Sequence, residues 1–407
     1  LDFLRPSVVT RLGVIVWILL SAFLFVASVR QDLAAGLPPG HDFMNLWAAP
    51  RLALLGRGSD AYDIDKLHQF KLVAIGGSIR TDTYNYPPPA LLITSPFAFL
   101  PYLVAVPVWI CGGYLAFFAA VRAAWPRALS VSLDAALYAL AVPAALVNAS
   151  LGQNGTWTAA LLGGGLMTME RWPRVGGALL GLLIAKPQLA ILVPVALLFT
   201  RRWDVLAAFV ATSVLIITGT VLLFGIGIWQ DFAIQNAFIR AAILGNETKT
   251  GVSLFFPSIF SMVRSLGAPL PYAYAAQGVA AAIVIGMVIL CWRSPAQQTQ
   301  KNAMLVIATF FVSPYVLVYD LVVAALVPLW LFADASLGGR WRGPSAIAFS
   351  LLIALPIAGP AISIYSGFGA GILFLVPPLV VTIHACLSSA RAEAVSRPVR
   401  SGDDSIA

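Results

Sequence analysis

This sequence predicts an all-α, polytopic integral membrane protein, on three observations. Of its 407 residues, 60% are hydrophobic and only 10% charged, against about 25% charged in soluble domains, so a soluble fold of this size would lack the polar surface to cover itself. Apolar runs of about 18 residues recur along the chain, without the short alternating strands of a closed barrel. The formal charge of +8 sits in small Lys/Arg clusters between those runs, as orientation by basic loops requires. No basic stripe with interleaved aromatics is present, which argues against a nucleic-acid partner.

The elements follow in order. The run 12–29, behind Arg5 and Arg11, is longer than a signal-peptide core and reads as a retained helix with a cytoplasmic N-terminus. Residues 30–89 form a long outer loop, in which Trp47, Leu52 and Leu55 around Arg51 predict a short helix lying in the membrane interface. Residues 90–103, broken by Pro96 and Pro101, read as a re-entrant or interfacial element leading into a span at 104–121. Spans at 129–149 and 156–169 follow. Segment 175–200 contains Lys186-Pro187 at its middle and divides into two short helices meeting on the outer side, because proline breaks the hydrogen-bond ladder and a mid-membrane lysine is costly. The alternative, one tilted helix, would put every later basic cluster outside. Further spans fall at 205–224, 272–292, 303–318, 321–333, 345–360 and 370–388, with a second outer loop at 225–271 carrying Trp229, Phe232, Phe238, Phe255 and Phe256. The sum is a bundle of about 12 transmembrane helices in one domain, 1–390, both ends inside, with 391–407 a disordered cytoplasmic tail. Cys111, Cys291 and Cys386 lie in or at the ends of apolar runs with no metal-ligand spacing, which predicts buried, inert thiols.

Ionisable groups at membrane depth or at its edge are functional candidates, since each costs a few kcal/mol unless paired or wetted. In this topology Asp42, Lys186 and Asp320 reach the same outer face. A carboxylate there can take the proton from an attacking hydroxyl, and a neighbouring amine can hold a phosphate leaving group. Asp42 fits the first role and Lys186 the second. Two plainer roles stand beside these: Asp42 as the N-cap of a helix starting at Phe43, and Lys186 as an interfacial lysine reaching back to water. His41 is placed to bind substrate hydroxyls or tune Asp42, but has no partner at metal-ligand spacing. Gln153 and Asn154 suit sugar hydroxyls, with helix capping the plainer role. Asp60, Asp63 and Asp65 read as a solvated turn, since no calcium-loop continuation follows. The glycines of 163–165 and 177–181 read as faces for close helix packing. No Walker loop, GxSxG or Rossmann fingerprint is present, which points to an energy source carried by a lipid.

Several short motifs then occur in a characteristic order: Asp42-Phe43, Trp47 and Gly56, Ala61-Tyr62-Asp63, Tyr86-Pro87-Pro88, Pro96, Leu100-Pro101, Leu151-Gly152-Gln153-Asn154, Gly181, Lys186-Pro187 and Ser313-Pro314. On these the sequence resembles glycosyltransferase family 87, the polyprenyl-phosphate-mannose-dependent α-mannosyltransferases of GT-C type. The resemblance implies a GT-C bundle in a bacterial inner membrane, with its active site facing the periplasm. It implies a metal-independent, inverting transfer from a polyprenyl phosphate sugar to a lipid or glycan acceptor, with no cofactor and Asp42 as general base. Asn45, Tyr86, Tyr319 and Asp320 join His41, Gln153, Asn154 and Lys186 as substrate-binding candidates, with Asp320 alternatively pairing Lys186. One departure bears on the sugar: mannosyl-transferring members often carry histidine after this Ser-Pro, where the present chain has Tyr315. A transporter or flippase using the same three charges is the rival expectation, with inverted repeats and mid-span charges as its marks. An oligosaccharide polymerase or ligase would share the lipid-linked donor.

Overall fold

The computed structural model describes residues 38–76, 79, 81–126, 132–245, 256–332 and 334–396, with scattered positions between 19 and 36. Most of the expected span at 12–29, with Arg127 and Phe255, therefore lies outside the described residues; of the expected tail 391–407, residues 391–396 belong to the last helix and 397–407 lie outside. Among the described residues every regular element is a helix. In chain order they are α1 Phe43–Leu54, α2 Ile64–Ile75, α3 Pro88–Ala98, α4 Tyr102–Ala124, α5 Ser132–Ala141, α6 Pro143–Leu151, α7 Gly155–Thr168, α8 Pro173–Gly181 and α9 Pro187–Ala190. There follow α10 Leu192–Phe199, α11 Trp203–Phe224, α12 Gly227–Gly245, α13 Ile259–Ser265, α14 Leu270–Arg293, α15 Gln298–Val312, α16 Leu326–Leu331, α17 Arg342–Ser366 and α18 Val376–Ser396.

Among the described residues five helical segments have the length and apolarity to cross a membrane: Tyr102–Ala124, Trp203–Phe224, Leu270–Arg293, Gly339–Ser366 and Ala370–Ser389. The count becomes six if α5 and α6, bent by 57° at the Val142-Pro143 break, act as one span. The expected count of 12 is not confirmed among the described residues, which omit most of the run 12–29. The other described apolar runs are shorter helices, and α15 shows why apolarity alone does not identify a span. It is apolar because nearly all of it is packed inside protein, from Asn302 to Phe311; a run of apolar residues does not say whether lipid or neighbouring helices cover it. Helix α11 is the opposite case, with Leu215 and Leu222 70% and 79% exposed, a surface suited to lipid.

Segment 170–202 is a hairpin. Glu170 and Arg202, at its two ends, form an ion pair, whereas a single helix over 175–200 would hold its ends roughly 40 Å apart. The turn falls at Lys186-Pro187, where the 3-10 segment Leu182–Ala185 ends and α9 begins. The outgoing arm runs parallel to α11, because a Cβ on Gly177 would meet Val205 and Ala208 and one on Gly181 would meet Phe209 and Thr212. Glycines four apart let the two backbones touch.

Both expected outer loops are largely helical where described. Most of the apolar side chains of helix α1 pack against protein, with Leu55 just past its end exposed. Phe43, Leu46, Trp47 and Leu52 are all buried, since Trp47 Nε1 donates to the Leu100 carbonyl at 2.9 Å and Arg51 donates to that of Ala98 at 3.2 Å, tying α1 to the C-terminus of α3. Phe43 stacks on Trp109 of α4 at 5.1 Å and on Tyr102 at 6.2 Å, contacts that contribute about 0.5–1.5 kcal/mol each beyond burial. Asp63 caps α2, accepting from the backbone of Asp65 and Lys66, and Asp60 pairs with Arg57 and Lys66, so the acidic run is a capped turn. The cysteine expectation also needs correction: Cys291 and Cys386 are joined across α14 and α18, their Cα atoms 5.9 Å apart, and Cys111 is exposed. A separation of 95 residues leaves no local spacing from which to read that pairing.

Candidate active site

The junction Leu151-Gly152-Gln153-Asn154-Gly155 between α6 and α7 holds the site together, and glycine is why it can. Gly152 sits at φ +73°, and a Cβ there would meet Phe43 Cβ at 2.9 Å and Gly40 Cα at 3.0 Å. Only a residue without a side chain takes this left-handed conformation at such close approach without strain. The crossing brings the Asp42 amide to the Leu151 carbonyl at 3.0 Å. On the other side a Cβ on Gly155 would meet the Tyr319 carbonyl at 2.0 Å, so the same junction abuts the segment that carries Asp320.

Asp42 stands at the start of α1 but makes no side-chain capping hydrogen bond. Its Oδ2 accepts from Gln153 Nε2 at 2.9 Å, and its Oδ1 lies 3.5 Å from His41 Nε2. The carboxylate keeps 26% of its surface exposed, against 11% for His41. Gln153 is itself held: its Oε1 accepts from the Tyr86 hydroxyl at 2.8 Å, and the Trp109 indole donates to the carbonyls of Gly152 and Gln153 at 3.1 and 3.2 Å. Tyr86, Gln153 and Asp42 thus form a relay of hydrogen bonds from three separate segments, aiming one carboxylate.

Asn154 also makes no side-chain cap. Its Oδ1 accepts from Lys186 Nζ at 2.8 Å. Lys186 pairs with Asp320, the two being 4% and 1% exposed, so the interfacial role for Lys186 gives way to a buried ion pair. Asp320 accepts in addition from the Leu317 amide at 3.0 Å. The rings of Tyr319 and Tyr86 lie 4.8 and 6.0 Å from the ammonium. Burial pushes the Tyr86 hydroxyl above its ordinary value, and the Asp320 and Asp42 carboxylates push in the same direction. Tyr86 is thereby kept a neutral donor between the two acids.

The structure thus brings Asp42, His41, Tyr86, Gln153, Asn154, Lys186, Tyr319 and Asp320 together. It puts Asn45 elsewhere. The Asn45 amide donates to Asp82 Oδ2 at 2.9 Å and to the Thr83 carbonyl at 3.3 Å, while its oxygen accepts from Lys71 at 3.0 Å. Lys71, fully buried, also pairs with Asp82. This second polar cluster pins α2 and the strand-like segment before Tyr86 onto α1, and sequence reasoning missed it. The available signal was that Lys71 shares a helix face with Leu67, four residues earlier. Among the described residues no group of three His, Cys, Asp or Glu side chains is placed to hold a metal ion.

Replacing Tyr86 by Phe removes the hydroxyl that donates to Gln153 and also interacts with Asn154 and Tyr319, while keeping the ring. With a bond of this kind contributing about 1 kcal/mol, the expected result is a roughly fivefold loss of turnover with a small loss of thermal stability. Steady-state kinetics of the variant in detergent checks it, and an undiminished rate would show that the relay does not aim Asp42.

The family model described as Glycosyltransferase family 87 matches residues 84–314, more than half the chain and the stretch that contains Tyr86, Gln153, Asn154 and Lys186. No curated protein and no solved structure matches the chain.

Proposed function

Because the chain belongs to glycosyltransferase family 87, and is a membrane glycosyltransferase on that ground, we propose that it moves a sugar, mannose in the first instance, from a polyprenyl phosphate carrier to a hydroxyl of a lipid or glycan on the outer face of the inner membrane. The acceptor hydroxyl attacks the anomeric carbon and surrenders its proton to Asp42. The new C–O bond forms as the bond from the anomeric carbon to the phosphate oxygen breaks, polyprenyl phosphate leaves with the bonding electrons, and the anomeric centre inverts. One observation carries this reading: the Asp42 carboxylate is not occupied as a helix cap but is oriented from outside by Gln153 and remains partly exposed.

Lys186 is the cation of the site, and its charge offsets that developing on the phosphate. Asp320 and Asn154 hold the ammonium in place. Tyr86, Tyr319 and His41 supply a ring-lined, hydrogen-bonding border suited to a sugar. No step in this scheme uses a metal ion.

The test is to incubate the purified protein with a small panel of polyprenyl phosphate sugars and a mixed lipid and glycan acceptor fraction, with and without a chelator, and to assay released polyprenyl phosphate. Release from the mannosyl donor at an equal rate in chelator is the expected outcome. Release from another donor alone would reassign the sugar. Strict dependence on added divalent metal would overturn the mechanism, and uptake of substrate into vesicles without release would favour a transporter.

A further inference from the structure

The hairpin ends and the turn at Lys186 define two ends of the molecule. From Pro173 to Ala185 the outgoing arm rises about 20 Å, so Glu170 and Arg202 lie far from the catalytic candidates. Helix α15 runs the same distance, starting beside Arg202, with Gln298 Oε1 at 3.4 Å, and ending before Ser313-Pro314. At this far end the structure holds a cleft of about 450 Å³ between the end of α10, the start of α11, the end of α14 and the start of α15. Arg201, Arg202, Arg293 and Lys301 line it together with the Gln298 amide and Phe199, and no carboxylate does. Glu170 engages Arg202 from outside the lining.

Three features set this cleft apart from an ordinary basic rim. First, four cations line one cavity, Arg202 and Lys301 partly buried and Arg201 and Arg293 exposed. Lys301, ahead of the apolar stretch of α15, is held below its ordinary value by desolvation and by Arg202, with Glu170 opposing. Second, Arg201 occupies a left-handed backbone position at φ 56°, the one non-glycine residue among the described residues with positive φ. The bonds from the Arg201 amide to Leu198 and from the Arg202 amide to Leu197 make it the residue just past a helix end where glycine is the usual occupant. A side chain there costs about 1 kcal/mol. Third, the neighbouring Phe199 and Trp203 are 46% and 55% exposed, an aromatic border of the kind found at a lipid headgroup level.

We infer that this cleft is a binding site for a phosphate anion, and that its occupant is the headgroup of an acidic phospholipid in the leaflet opposite the catalytic candidates. Guanidinium pairs match phosphate oxygens in bidentate geometry, the lysine adds a point charge, and the exposed aromatics meet the acyl chains. A soluble phosphate has the same anionic chemistry but makes no use of those aromatics.

The protein is placed in nanodiscs of phosphatidylcholine with or without phosphatidylglycerol, and retained lipid is counted by native mass spectrometry; inorganic phosphate in detergent is the second arm. The wild-type chain retains phosphatidylglycerol selectively. Arg201→Gly relaxes the backbone, so its thermal stability in detergent is equal or higher, while retention falls about tenfold, the loss expected from one charged contact. Lys301→Gln lowers retention by a similar factor. Equal retention in wild type and both variants overturns the inference. Inorganic phosphate protecting as well as the phospholipid, with no further gain from the lipid, overturns the lipid occupant.

Discussion

Asp42→Asn abolishes sugar transfer while leaving the fold in place. Asparagine keeps the shape of the side chain, and its carbonyl oxygen still accepts from Gln153 Nε2, the contact that orients the native carboxylate. What it loses is the ability to take a proton. General-base catalysis contributes about 10²–10⁴-fold, and the rate of polyprenyl phosphate release falls by that factor. The unfolding temperature and donor affinity stay near those of the native chain. Asp42→Glu separates geometry from chemistry: it keeps the base but moves it by about one methylene, and a misplacement of about 1 Å costs on the order of 10²-fold. Both rates are read in the same assay, and native turnover in the asparagine variant would remove Asp42 from the reaction.

The buried pair gives the largest expected effect on stability. Lys186→Met leaves the Asp320 carboxylate, 1% exposed, without its counter-charge, and stranding one member of such a pair costs about 3–5 kcal/mol. Asp320→Leu does the same to the ammonium. Replacing both together, Lys186→Met with Asp320→Leu, removes both charges and recovers most of the stability, because two apolar side chains of similar volume satisfy each other. Thermal unfolding of the three variants measures this directly, and losses that simply add in the double variant would show that the pair is not a coupled unit. The double variant also isolates the function of Lys186. Folded but without the amine, it binds the donor more weakly than the native chain; an unchanged donor affinity would make Lys186 a purely structural residue.

Most of the membership of the site was legible in the sequence, and the reasons are physical. Charged or amide side chains are costly beside apolar spans, so the few present at Asp42, Gln153, Asn154, Lys186 and Asp320 stand out without any coordinates. Their local alternatives were equally legible and led the wrong way. Asp42 precedes a helix and Asn154 precedes another, both positions where capping is the ordinary use, yet neither side chain caps its helix. Capping is decided within three residues. The bonds that replace it span 111 residues for Asp42 with Gln153 and 32 for Asn154 with Lys186, and nothing local records them. Asn45, a substrate-binding candidate on the resemblance, has both ends of its amide engaged by Lys71 and Asp82, partners that nothing local records.

By itself the sequence determined the class of molecule: its apolar composition requires helices in a membrane. For segment 175–200 it favoured two short helices over one tilted span, because proline breaks the ladder and a mid-membrane lysine is costly, and left the choice to the packing. Only the tertiary structure decided which apolar helices reach across and which are wrapped by their neighbours, and which partner each polar side chain takes. Apolarity measures the removal of water and is blind to whether lipid or protein removes it, while a hydrogen bond between distant segments exists only once packing has brought them within 3 Å or so of each other.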